Sequence, residues 1–83
     1  MGFIPISITD YVKIHLRINP SDKAQVITDN LIKAISDFRN GIKCECGNDI
    51  WVIGSAFTEN SCFTCITGDR FPSDDYEIDE VIR

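Results

Sequence analysis

Two short stretches hold all four cysteines of this 83-residue chain: CECG at residues 44–47 and CFTC at residues 62–65. Cysteine pairs in tight turns can direct several sulfurs at one point, and thiolates are preferred ligands of zinc in closed tetrahedral sites. The second pair has the usual two-residue spacing, whereas a single residue separates the first pair and a glycine follows it. The pattern predicts one four-coordinate metal site with zinc as the expected ion, and its ligands are Cys44, Cys46, Cys62 and Cys65.

Three other uses of these cysteines stay open. Disulfides need an oxidising compartment, and a bridge between Cys44 and Cys46 has poor geometry. Redox catalysis by Cys62 and Cys65 requires a reactive thiol at a helix start in a βαβ context, which the sequence does not indicate. The third use is iron binding, because a tetrahedron of four sulfurs suits iron as well as zinc.

Size and charge limit the function classes. A chain of 83 residues buries only a modest core and needs an additional crosslink for stability, which a bound metal would supply. Residues 1–43 carry six basic and four acidic side chains, whereas residues 44–83 carry two and nine. The net charge of -5 disfavours binding to phosphate backbones. No apolar run approaches the roughly 18 residues of a membrane span, and the first residues lack a basic leader, so we expect a cytoplasmic protein.

The first part of the chain predicts an edge strand or extended arm at residues 3–8, where Pro5 removes a ladder donor. Residues 9–18 are ambiguous, because residues 12–18 alternate as in a strand. Ser7 and Asp10 nevertheless resemble a capping box, and the Asn19-Pro20 pair forces a stop. We favour a short helix there.

The clearest element is a long amphipathic helix at about residues 22–40. Its start is expected at Ser21 or Asp22, and Asn40-Gly41 supplies the stop. Apolar side chains recur at three- and four-residue steps, which defines one buried face: Ala24, Ile27, Leu31, Ile35, Phe38 and Ile42.

From Cys44 onward the sequence predicts short strands and turns. Residues 50–53 (IWVI) are aromatic and β-branched, and turn residues flank them. Together with the cysteine pairs they predict a hairpin-like module at residues 44–68. The acidic tail at residues 69–83 is expected to be mostly solvated, in either a helical or an extended form.

The cysteine pairs and Gly47 resemble the zinc-ribbon and rubredoxin-like class, in which two knuckles from two hairpins share one ion. The resemblance covers residues 43–68 and implies that Cys44, Cys46, Cys62 and Cys65 are the ligands. Ile66 stands where a second knuckle would carry glycine, which departs from the rubredoxin pattern. The whole chain also resembles a small bacterial protein with a helical front half and a ribbon, a likeness that implies no activity.

Three further side chains could have either a functional or a packing role. His15 is the only histidine and a candidate exchange ligand or base, but its neighbours Lys13 and Arg17 favour a solvated surface position. Trp51 is expected to pack the metal module against the long helix. Phe63 is equally an anchor for a partner or a packing residue.

These observations predict an α+β fold in which N-terminal helices pack on a zinc-ribbon-like β-hairpin module. We expect one domain over residues 1–83, made of a helical part (1–43), a metal module (44–68) and an acidic tail (69–83). A filled ligand shell and the lack of a catalytic constellation favour a non-enzymatic module with structural Zn²⁺ that binds a protein or itself. The alternatives are a nucleic-acid-binding ribbon, for which six basic residues could gather on one face, and iron-based electron transfer.

Overall fold

The computed structural model describes residues 2–82. Its elements follow in chain order: β1 (Ile4–Ile6), α1 (Ile8–Ile18), α2 (Ala24–Arg39), α3 (Val52–Ser55), α4 (Phe63–Thr67), β2 (Tyr76–Ile78) and a 3-10 turn (Asp79–Val81). Helices and a two-stranded sheet together make a mixed α+β fold, as predicted.

Helix α1 confirms the helical interpretation of residues 9–18. The Ser7 hydroxyl accepts a hydrogen bond from the Asp10 backbone N–H at 3.1 Å, which satisfies one of the free donors at the helix start. The helix ends at Ile18, because Asn19 precedes proline and leaves the helical region with φ -124° and ψ 72°. The local capping signal therefore outweighs the alternating pattern.

Helix α2 begins later than predicted. Lys23 precedes its first residue and makes no side-chain capping bond, so neither Ser21 nor Asp22 is the cap. Asp22 instead binds His15 in α1, and this contact ties the loop between the two helices to α1. Of the six residues predicted for the buried face of α2, Ile27, Leu31 and Ile35 are buried and Phe38 is half-buried, whereas Ala24 and Ile42 are exposed.

The end of α2 is a Schellman motif at the predicted Asn40-Gly41 stop. The Gly41 N–H donates to the Phe38 carbonyl at 3.2 Å, and the Ile42 N–H donates to the Asp37 carbonyl at 3.0 Å. Gly41 has a φ of 81°, a left-handed conformation that glycine adopts without a steric cost.

Strands β1 and β2 pair in parallel, with Ile4 opposite Tyr76 and Ile6 opposite Ile78. The Ile4 N–H donates to the Asp75 carbonyl, and since alternate residues of a strand point to the same side, the ring nitrogen of Pro5 faces away from β2. The edge-strand prediction for this segment is confirmed. On the opposite edge of the sheet, the Tyr76 carbonyl accepts a hydrogen bond from Trp51 Nε1 at 2.9 Å.

The hairpin predicted for residues 44–68 does not form in this structure. Residues 50–53 were expected as a strand, but a helical turn, α3, begins at Val52, and the second cysteine pair lies at the start of α4. The antiparallel pairing in this module is an isolated bridge between Lys43 and Asp49. A helical turn replaces the strand because a residue distant in sequence stabilises it: the Glu77 carboxylate accepts the Val52 and Ile53 N–H groups.

The prediction of a mostly solvated tail is wrong for β2. Glu77 is 2 % exposed and Ile78 is completely buried. Ile78 lies in the main apolar core, which draws residues from the predicted helical part, metal module and tail: Ile6, Val12, Ile27, Leu31, Ala34, Ile35, Val52, Ile53 and Ile78. Residues on both sides of the metal module therefore share one buried cluster.

Within residues 2–82, no helix combines the length and the apolar character that crossing a membrane requires.

Candidate metal centre

The first cysteine pair lies in a tight turn. The Gly47 N–H donates to the Cys44 carbonyl at 2.8 Å, and the Cys44 N–H donates to the Asn48 carbonyl at 2.9 Å. Gly47 has a φ of 92°, so the turn requires a residue that tolerates the left-handed region. An ion pair between Lys43 and Asp49 closes the base of the turn. The glycine after the first pair therefore occupies a turn position that needs its conformational freedom.

The second cysteine pair lies at the start of α4. Cys62 is the residue before the first helical residue, and its carbonyl accepts the Ile66 N–H at 3.1 Å. Cys65 lies three positions further along, within the first turn. Residues three apart on a helix are neighbours, so the spacing places both thiols on the same side of the turn.

The two pairs meet at one point. All four Sγ atoms lie within 4.8 Å of one another, and Cys46 Sγ of the first pair lies 3.5 Å from Cys62 Sγ of the second. Bonds of about 2.3 Å to a tetrahedral zinc ion place ligand sulfurs about 3.8 Å apart. The observed cluster has that size, and it can hold a metal ion.

Backbone N–H groups surround the buried half of the cluster. The N–H groups of Cys46 and Cys62 both donate to Cys44 Sγ, and they lower the pKa of that thiol from 9.0 to about 6. The Cys65 N–H donates to Cys62 Sγ and lowers the pKa of Cys62 as well. Both of these sulfurs are buried, with 5 % of Cys44 and 4 % of Cys62 exposed. These bonds favour the thiolate, which is the form that binds a metal.

In the exposed half of the cluster, the thiol pKa values are raised and not lowered. The Asn48 N–H donates to Cys46 Sγ and lowers its pKa, but the neighbouring Cys62 and Cys44 sulfurs outweigh that bond and the net pKa is raised. The Cys44, Cys62 and Cys46 sulfurs raise the pKa of Cys65 to about 12. Four adjacent thiolates repel one another, so metal binding must displace the protons that these thiols retain.

The structure therefore brings the four predicted cysteines together, while their role as ligands of a particular ion stays a prediction. Both pairs contribute one buried and one exposed residue, and within residues 2–82 all four cysteines are free of disulfides. Four sulfurs fill a tetrahedral shell, which is typical of structural metal sites.

His15 does not join this cluster. Its Nε2 atom lies 2.7 Å from an Asp22 carboxylate oxygen, and its side chain is 13 % exposed. The imidazole also stacks on the Phe57 ring, with centroids 4.8 Å apart. The expectation of a solvated histidine is wrong, because Asp22 and Phe57 cover it.

The aromatic side chains of the module pack on one another. Phe63 is 7 % exposed, so it is a packing residue and not an exposed anchor. Its ring meets Trp51 edge-on at 5.0 Å and Phe3 at 5.4 Å. Trp51 contacts the core as expected, but its nearest aromatic partners are Phe63 and Phe3.

Sequence reasoning missed two residues that shape the centre. Asn48 donates to one ligand sulfur through its backbone and lies 4.0 Å from Cys62 Sγ through its side-chain Nδ2. Its position two residues after Cys46 was the available signal. Glu77 supports α3 from β2, and the acidic run around it gave no local sign of burial.

Comparison of the chain with protein families, with curated proteins and with solved structures returned no match. The candidate centre therefore rests on the geometry of its own residues.

Proposed function

We propose that the chain is a non-enzymatic protein that holds one Zn²⁺ ion on Cys44, Cys46, Cys62 and Cys65. The observation that carries this proposal is the convergence of four sulfurs, within 4.8 Å, from two segments that are distant in sequence. Zinc would supply a structural crosslink here, since four thiolates complete its tetrahedral shell and leave no open position for substrate or water.

A structural ion agrees with the packing around the centre. The segment between the two cysteine pairs contributes Val52 and Ile53 to the main core. An ion on both pairs would close the loop that carries these two residues and so hold them against α2. The free thiols also favour a reducing compartment such as the cytoplasm.

An interaction role is the second part of the proposal, with a protein or a second copy of this chain as the partner. Ile18 and Phe71 are 74 % and 68 % exposed, and contact with a partner would remove their apolar surface from water. Three of the six basic residues that could form a nucleic-acid face are already in ion pairs, which disfavours that alternative; the six are Lys13, Arg17, Lys23, Lys33, Arg39 and Lys43. These pairs are Lys33–Asp37, Arg39–Glu80 and Lys43–Asp49.

Elemental analysis and native mass spectrometry of the purified chain test the metal and the assembly together. We expect one zinc ion per chain and a colourless protein. A visible absorption spectrum typical of iron on thiolates would replace zinc with iron and favour electron transfer. A fully reduced chain that retains no metal would contradict the proposal, and a monomer at every concentration would exclude self-association.

A further inference from the structure

A cleft of about 340 Å³ lies beside the candidate metal centre, where residues from both ends of the chain meet the metal module. Four aromatic side chains line it: Phe3, Phe38, Trp51 and Phe63. Clefts that bind small molecules typically measure about 300–1,000 Å³ and are lined mainly by apolar and aromatic side chains with a few polar groups. This cleft has the size and the lining of such a site.

The aromatic wall of the cleft is held in place by contacts within the protein. The rings of Phe3 and Trp51 stack with centroids 5.9 Å apart, and the Phe63 ring meets Trp51 edge-on at 5.0 Å. The indole is fixed further because Trp51 Nε1 donates to the Tyr76 carbonyl at 2.9 Å. A ligand would therefore meet a preformed surface, and little side-chain freedom would be lost when it binds.

Three charged residues line the cleft, and the two acidic ones already have partners. Asp49 forms an ion pair with Lys43. The buried Glu77 carboxylate accepts three backbone N–H groups, which belong to Val52, Ile53 and Ile78. Neither acidic group is therefore available to pair with a cationic ligand.

The third charged residue, Arg70, differs from these two. It is the only basic residue between positions 44 and 82, and its side chain is exposed. Among residues 2–82 the Arg70 guanidinium forms no ion pair, although the Thr64 hydroxyl donates to the Arg70 carbonyl at 3.3 Å and so ties its backbone to α4. A guanidinium matches the two oxygens of a carboxylate in charge and in geometry.

We propose that this cleft binds a small carboxylic acid with an apolar, preferably aromatic, body. The aromatic wall would remove the apolar body from water, and Arg70 would pair with the carboxylate at the exposed side of the cleft. This function goes beyond the proposed metal site. The ion would hold the cleft together, since Cys62 lines it as well, but it would not contact the ligand.

The test titrates phenylacetate into the metal-loaded chain and follows the indole N–H of Trp51 by NMR, because the single tryptophan gives one indole signal. We expect this signal to shift with a dissociation constant of about 1 mM or tighter, which a ligand of about ten non-hydrogen atoms can reach. Phenylacetamide has nearly the same shape without the charge, and at equal ionic strength it should bind about threefold to fivefold more weakly.

A charge-removing variant locates the carboxylate. Arg70→Gln should bind phenylacetate about threefold to fivefold more weakly than the wild type, while its affinity for phenylacetamide should not change. Arg17→Gln is the matched control, because it removes the same charge from an exposed arginine that does not line the cleft, and it should bind both compounds as the wild type does.

Three results would overturn the proposal: no shift of the Trp51 signal with phenylacetate, equal affinities for phenylacetate and phenylacetamide, or an unchanged phenylacetate affinity in Arg70→Gln. The comparison of the two compounds uses the wild-type chain, so it stays decisive even if a variant fails to fold. A chain that retains no metal would contradict the metal site, whereas a metal-loaded chain that binds neither compound would refute only this inference.

Discussion

At the scale of single residues, the buried carboxylate of Glu77 links β2 to α3. Its Oε2 atom accepts the Val52 N–H at 2.8 Å, and its Oε1 atom accepts the Ile53 N–H at 3.2 Å. The carboxyl group is buried in β2, and its removal from water raises its pKa from 4.5 to about 6, although the three backbone N–H groups around it lower the pKa. The effect of burial on the pKa is therefore larger than the effect of the hydrogen bonds that the carboxylate accepts.

Stability should therefore depend on pH through Glu77. The folded protein binds the Glu77 proton more tightly than the unfolded chain does, so its contribution is largest below pH 4.5 and is lost as the pH rises through about 6. A shift of this size corresponds to about 2 kcal/mol. In Glu77→Gln this pH dependence should disappear, and at low pH the variant should be about 1–3 kcal/mol less stable than the wild type because one accepting oxygen is lost.

The measurement is the free energy of unfolding with saturating metal from pH 5 to pH 7.5. Subtracting the variant from the wild type cancels the metal dependence that both proteins share. The difference between the two should fall as the pH rises. Glu59→Gln is the matched control in an exposed glutamate, and it should retain the wild-type profile. A wild-type profile in Glu77→Gln would show that the buried carboxyl is not the responsible group.

At the scale of elements, the sequence predicts those helices whose stabilising residues lie nearby in the chain, but not the elements that depend on distant residues. Helices α1 and α2 could be predicted because their apolar periodicity, the Ser7 cap and the Asn40-Gly41 stop all lie within the helices or next to them. Helix α3 could not, because its β-branched residues favour a strand and the stabilising carboxylate comes from Glu77 in β2. The parallel pairing of β1 with β2 joins opposite ends of the chain, and no local pattern encodes it.

The end of α2 provides a test at this scale. Gly41→Ala places a Cβ atom on a residue with a φ of 81°, where space is available but the backbone conformation is costly. We expect a loss of about 1–2 kcal/mol, which lowers the melting temperature by about 4–8 °C for each kcal/mol.

The neighbouring Asn40→Ala variant is the control, because Asn40 is also exposed and its φ of -81° suits alanine. Its stability should stay within about 0.5 kcal/mol of wild type. Equal stabilities for the two variants, measured by thermal unfolding, would mean that the Schellman motif does not depend on glycine.

At the scale of the whole molecule, the metal module and the helices contribute residues to one apolar core. Leu31 of α2 and Val52 of α3 are both completely buried in one apolar cluster, to which β2 adds Ile78. The cysteine spacing predicted which sulfurs would meet, but the placement of the module between α2 and the terminal strands depends on contacts that its own sequence does not encode. Loss of structure at the metal centre should therefore lower the stability of α2 through this shared core.

Removal of the metal should unfold the helices together with the centre. A small core is marginal alone, and structural zinc contributes about 10–16 kcal/mol in isolated zinc-finger peptides, so losing even about 5 kcal/mol would lower the melting temperature by more than about 20 °C. Two signals can be followed during chelation: helical circular dichroism, which mainly reports α1 and α2, and fluorescence of Trp51, the only tryptophan.

We expect both signals to change at the same chelator concentration and to return together when Zn²⁺ is added back. Mg²⁺ is the control ion, and it should restore neither signal because it prefers oxygen ligands to thiolates. If the fluorescence changed while the helical signal persisted, the helices would be stable without the metal centre. Coincident loss would instead show that the shared core makes one cooperative unit, in which the four sulfurs set the stability of α1 and α2.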